Sequence, residues 1–176
     1  MKGRRAPGST WNSEPAGLGV RMQGMKQSDT APDFELPDQF GIPRRLSTML
    51  QKGPVALFFY PVASSGGCTK EMCSVRDRSA EFEAVGAQRV GISRDGVDKQ
   101  KKFADLNGFD YPLLSDPDSK VASAMGVKRR LPLGPLSTKR LTFVIDTDRK
   151  VLDVIHSETN MQDHAARALQ ILGVRP

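Results

Sequence analysis

The two cysteines of this 176-residue chain stand five positions apart, in Gly66-Gly67-Cys68-Thr69-Lys70-Glu71-Met72-Cys73. Two thiols at short spacing suit redox chemistry, in which a thiolate is oxidised and a neighbouring thiol closes a disulfide. Cys68 follows two glycines beyond the apolar run Val55-Ala56-Leu57-Phe58-Phe59-Tyr60 and precedes a stretch of helical periodicity. A thiol at a strand-to-helix junction lies at the positive end of the helix dipole, where negative charge on sulfur is favoured. On one continuous helix, Cα atoms five residues apart are separated by about 8.6 Å. A disulfide needs about 7 Å or less. The two sulfurs can bond only if the helix unwinds locally.

Plainer readings stand beside this one. Free cysteine often packs as a small inert hydrophobe. A structural zinc needs about four ligands, and only His156 and His164 are available to join the cysteines, at spacings that match no zinc pattern.

The elements that must position the thiols can be read from periodicity. Ala31 to Asp38 alternates and meets a turn at Gln39-Phe40-Gly41, which predicts a small N-terminal hairpin. Ser47–Gln51 reads as a helical turn. Val55–Tyr60, bounded by Gly53-Pro54 and Pro61, suits a strand buried on both faces. One helix is expected from Thr69 to about Val85, a strand over Arg89–Ser93, and a helix from Val97 to Leu106 stopped by Asn107-Gly108. A strand over Tyr111–Leu114, a short helix over Val121–Met125 and a basic Pro/Gly-punctuated loop over 127–140 follow. Leu141–Asp146 and Val151–His156 flank a turn, and a helix over Met161–Leu172 closes the chain. This order is that of an α/β thioredoxin-like sandwich: an N-terminal hairpin, then a central mixed sheet flanked by helices.

Charge is unevenly placed. Residues 1–26 hold Lys2, Arg4, Arg5, Arg21 and Lys26 against Glu14, so they carry +4 of the net +6. Residues 1–27 are therefore read as a basic disordered tail, or as a start assigned too far upstream, with Met22 or Met25 as the first residue. Residues 28–176 form the single folded domain. The tail is read as a solvated arm rather than a nucleic-acid surface, and it lacks the apolar core of a secretory signal. No run approaches the roughly 18 apolar residues of a membrane span. The expected location is the cytoplasm, with organelle import by the Arg-rich tail as the alternative.

Four landmarks in order resemble a known family. Pro61-x-x-x-Ser65-x-x-Cys68 resembles the peroxiredoxin signature Pro-x-x-x-Thr/Ser-x-x-Cys. Cys73, five residues on, is similar to the second cysteine of the Q-type peroxiredoxins, the bacterioferritin comigratory protein group. Arg140-Leu141-Thr142-Phe143-Val144-Ile145-Asp146 and Ala31-Pro32-Asp33-Phe34 are similar to two further segments of that group. The resemblance implies a thiol peroxidase acting on hydrogen peroxide and organic hydroperoxides. Cys68 would attack the peroxide and become a sulfenic acid, and Cys73 would resolve it as an intramolecular disulfide. Ser65 would place a hydroxyl against the thiolate and the peroxide, Pro61 would shield the thiolate from water, and Arg140 would set positive charge beside the sulfur. Glu71 could pair with such an arginine or stand exposed.

The resemblance implies no bound cofactor or metal, a thioredoxin-like dithiol as reductant, and no need of a second subunit, which favours a monomer with a dimer as the alternative. Here Ser65-Gly66-Gly67 replaces the family's Thr-Pro-Gly, which keeps the hydroxyl and loosens the loop. Two other functions compete. A thioredoxin-like disulfide reductase uses cysteines two residues apart, unlike this chain. The other is a redox-sensing binding module acting through the tail.

Overall fold

Strand β3 (Val55–Phe59) is the organising element because every one of its residues is buried. A strand covered on both faces has no polar side, which is why its sequence is an unbroken apolar run. The computed structural model describes residues 24–129, 131 and 137–173. The tail reading falls outside them up to residue 23, as does the expected 127–140 loop at residues 130 and 132–136.

The chain opens with a two-stranded antiparallel hairpin, β1 (Glu35–Pro37) and β2 (Pro43–Arg45). Asp38 holds its turn by accepting from the Phe40 and Ile42 amides at 2.8 and 3.0 Å. Helix α1 (Leu46–Leu50) leads into β3, and α2 (Gly66–Asp77), α3 (Ser79–Ala84) and β4 (Gln88–Ser93) follow. Then come α4 (Val97–Asn107), β5 (Leu113–Ser115), α5 (Lys120–Ala124), β6 (Leu141–Ile145), β7 (Val151–His156) and α6 (Asp163–Gly173). The main sheet has the order β5-β4-β3-β6-β7, with β3, β4 and β5 parallel and β6 and β7 antiparallel additions.

The strand period of two divides the core. Val55, Leu57 and Phe59 face α1 and α5 through Leu46, Leu50, Val121 and Met125. Ala56, Phe58 and Tyr60 face α2, α3, α4 and α6 through Met72, Phe82, Phe103 and Ala168. Helices therefore cover both faces of a mixed sheet, and the expected thioredoxin-like sandwich is what forms.

One expected element differs. The helix expected over Thr69–Val85 starts three residues earlier and breaks at Arg78, whose φ of −100° and ψ of 21° leave helical geometry. The break lets α3 turn Phe82 into the core, edge-on to Phe58 with ring centroids 6.3 Å apart. Apolar spacing runs on through Arg78, so periodicity did not show the break. Among the described residues no helix is long and apolar enough to cross a membrane.

Candidate active site

Register brings the site together. In the antiparallel pairing of β3 with β6, Phe59 lies opposite Leu141. The residue before β6, Arg140, thus meets the loop that leaves the end of β3 and enters α2. Cys68 stands in the first turn of α2 with a fully buried side chain. Arg140, 5% exposed, places Nη2 3.3 Å from Cys68 Sγ. Its Nη1 pairs with Glu71 Oε2, one helical turn along α2 from Cys68. One guanidinium fork therefore spans a thiol and a carboxylate, a geometry open to arginine and closed to lysine.

Ser65 is the N-cap of α2. Its Oγ accepts from the Cys68 amide at 3.3 Å, and its carbonyl accepts from the Thr69 hydroxyl at 2.8 Å. The hydroxyl expected against the sulfur makes this capping bond to the amide of the same cysteine. The hydroxyl proton remains available to an incoming oxygen. Gly67 matters for space: a Cβ there would lie 3.3 Å from Arg140 Nη2 and from Met161 Cε. Pro61 is buried at the end of β3, and Cys73 is half-buried five residues beyond Cys68 on the same unbroken helix. Both cysteines are free thiols.

Residues that periodicity does not reveal complete the site. The Ala63 amide donates to Asp95 Oδ2 at 2.6 Å, and Ser93 Oγ donates to the same oxygen at 2.8 Å. The loop before Cys68 is thereby tied to the end of β4. Glu71 is fully buried, and burial pushes its carboxyl up to about 7 against the pull of Arg140. Its Oε1 lacks a hydrogen bond and lies 3.9 Å from His164 Nδ1. His164, also fully buried, is held below the usual histidine range, first by burial and further by Arg140. Its Nε2 lies 2.8 Å from the Ser157 carbonyl, which can only accept, so Nε2 carries the proton and Nδ1 accepts from the Thr142 hydroxyl at 2.8 Å.

His164 thus belongs to the wall of the thiol site, while His156 is exposed on β7. Among the described residues no group of three or more His, Cys, Asp or Glu could hold a metal ion.

A buried thiol at a helix start, faced by a fixed guanidinium on a thioredoxin-like sheet, is the arrangement of a thiol peroxidase. Residues 28–154 match the AhpC/TSA family, and the chain belongs to that family. It is 35% identical over 146 residues to peroxiredoxin Bcp of Escherichia coli K12, covering 81% of this chain and 93% of that protein. It is 36% identical over 146 residues to the chloroplastic peroxiredoxin Q of Sedum lineare, covering 83% of this chain and 77% of the relative. The crystal structure of peroxidoxin BcpB from Mycobacterium tuberculosis superposes with a TM-score of 0.82 at 59% identity, covering 86% of this chain and 99% of that one. These relatives agree with the expected bacterioferritin comigratory and Q-type group, and they favour neither the disulfide reductase nor the binding-module reading.

Proposed function

We propose that this peroxiredoxin reduces hydrogen peroxide and organic hydroperoxides through a sulfenic acid on Cys68 and an intramolecular disulfide with Cys73. The observation that carries the reading is the Arg140 guanidinium 3.3 Å from the buried sulfur. It stabilises the thiolate before reaction and faces the oxygen on which charge develops as the O–O bond breaks. The thiolate takes one peroxide oxygen, and the other leaves as an alkoxide or hydroxide that gains a proton. Ser65 can donate its free hydroxyl proton to the peroxide while its oxygen caps Cys68, and buried Pro61 keeps water from the loop.

The thiolate of Cys73 then attacks the sulfenic sulfur, the S–O bond breaks, and hydroxide leaves to become water. Residues five apart on a helix have Cα atoms about 8.6 Å apart, so α2 must unwind for this bond to form. A thioredoxin-like dithiol restores both thiols by exchange. Organic hydroperoxides are included because the structurally similar Xanthomonas campestris bacterioferritin comigratory protein, 26% identical, is described as reducing alkyl peroxides. Resolution within one chain favours a monomer, and two free thiols served by a dithiol reductant suit a reducing compartment such as the cytoplasm. No step calls on a cofactor or metal.

The test is intact mass after one equivalent of hydrogen peroxide, on the wild type and on Cys73→Ser. The wild type is expected to lose two hydrogens. The variant is expected to gain one oxygen on Cys68, or more with further oxidation. An unmodified Cys68 under these conditions would overturn the reading.

A further inference from the structure

Helix α2 is held at both ends, by Ser65 and Arg140 around Cys68 and by a second set of bonds along its C-terminal half. Its first turn carries two glycines, Gly66 exposed with no atom within 4 Å of where its Cβ would be. Its second half is tied to β4 and to the segment between α4 and β5. The Tyr111 hydroxyl donates to the Met72 carbonyl at 2.7 Å, a buried bond across 39 residues. Arg89 Nη1 lies 3.4 Å from the Val75 carbonyl and 3.5 Å from the Arg76 carbonyl, where a cation meets the negative end of the helix. Arg76 Nη1 donates to the Asn107 carbonyl at 2.5 Å.

The two gripping side chains are themselves fixed. Arg89 makes a two-pronged pair with Asp110, both bonds 3.1 Å, and its guanidinium stands 5.1 Å above the Tyr111 ring. Gln39 bridges the backbone around Tyr111, donating to the Tyr111 carbonyl and accepting from the Leu113 amide. None of these groups touches Cys68. What they hold is the resolving end: the Met72 carbonyl and the Cys73 amide are two ends of one peptide plane. Tyr111 thus grips the peptide that must swing if Cys73 is to reach Cys68.

We propose that Tyr111 and Arg89 form a clamp that sets how readily α2 unwinds at Cys73, and so decides the fate of the Cys68 sulfenic acid. This rests on the disulfide cycle proposed above. Two reactions compete for that species. In one, the Cys73 thiolate displaces hydroxide from the sulfenic sulfur and gives the disulfide. In the other, the sulfenate takes an oxygen from a second peroxide, giving sulfinate and an alcohol or water. The second needs no unwinding, because Cys68 reacts where it stands. A tighter clamp slows the first reaction and leaves the second untouched, making Tyr111 and Arg89 positioning residues that tune inactivation by excess peroxide.

Tyr111→Phe tests this, since it removes the hydroxyl and keeps the ring in its aromatic neighbourhood. The full chain is mixed with peroxide in a rapid quench, and sulfenic, sulfinic and disulfide forms are counted by intact mass. Loss of one buried hydrogen bond raises the resolution rate about fivefold. The sulfinic fraction at a given peroxide concentration falls by a similar factor, while the second-order rate of Cys68 oxidation stays within about twofold. Asp110→Asn, at a half-exposed carboxylate, releases Arg89 without opening the core and moves the resolution rate in the same direction.

Equal resolution rates in wild type and both variants overturn the clamp, as does a Tyr111→Phe that slows Cys68 oxidation as much as it alters resolution. A wild type that reaches the sulfenic acid and never the disulfide overturns the proposed cycle, and the clamp falls with it.

Discussion

Glu71→Gln should remove a decline in stability that the wild-type fold shows between mildly acidic and neutral pH. Burial moves this carboxyl from 4.5 up to about 7, with Arg140 pulling it back only in part. Below 4.5 the group is protonated in folded and unfolded chains alike, and above about 7 it is ionised in both. Between those values the folded chain keeps a proton that the unfolded chain has released. Stability follows the difference in bound protons, so it falls as pH rises through this window. At about 1.4 kcal/mol per pH unit, the decline totals about 3 kcal/mol. Glutamine has no proton to lose, so this contribution vanishes.

His164 works in the opposite sense, because its folded form is held below 6.5 and loses stability as pH falls. Its contribution rises with pH, so it cannot produce the decline assigned to Glu71. Urea denaturation followed by circular dichroism, from about pH 4.5 to about pH 8, provides the measurement. Both proteins should carry Cys68→Ser, so that the thiol is not oxidised during the measurement. A stability difference that stays constant across the window would refute the buried-carboxyl argument.

Two further substitutions separate charge from geometry. Arg140→Lys keeps the cation and loses the fork that reaches Cys68 Sγ and Glu71 together, so peroxide-driven oxidation of Cys68 should slow about 100-fold; stopped-flow rates within threefold of wild type would contradict this. In Gly67→Ala the new Cβ stands in the first turn of α2, ahead of the helix interior. It presses on Arg140 Nη2 from 3.3 Å, and the guanidinium is pinned by two partners, so the oxidation rate and the thermal midpoint should both fall. A rate and a midpoint that both match wild type would show that Arg140 has room to move.

Sequence and structure agree where local pattern carries the information. β3 was legible because a strand buried on both faces must be apolar throughout. Its neighbour β6 followed from the segment after Arg140, which also placed the arginine. Cys68 and Cys73 stood out by spacing alone. Polar groups whose partners lie far along the chain were not legible: Asp95 is 32 residues from Ala63, Tyr111 39 from Met72, and His164 22 from Thr142. A hydrogen bond across the sheet leaves no periodic trace. The capping role of Ser65 was hidden for a different reason. Two glycines following a serine read as loop, so the helix was expected to begin at Thr69 rather than Gly66.

The pairing of Phe59 with Leu141 also has a consequence for the chain as it is made. Cys68 and Arg140 are 72 residues apart, and the strand that delivers the arginine is the penultimate one. A ribosome-bound chain that has emerged only through β4 carries the thiol without the Arg140 guanidinium that stands 3.3 Å from it in the fold. The arginine arrives when β6 docks antiparallel against β3. The proposed reactivity of Cys68 therefore depends on a contact that a chain lacking β6, or pairing it out of register, cannot make.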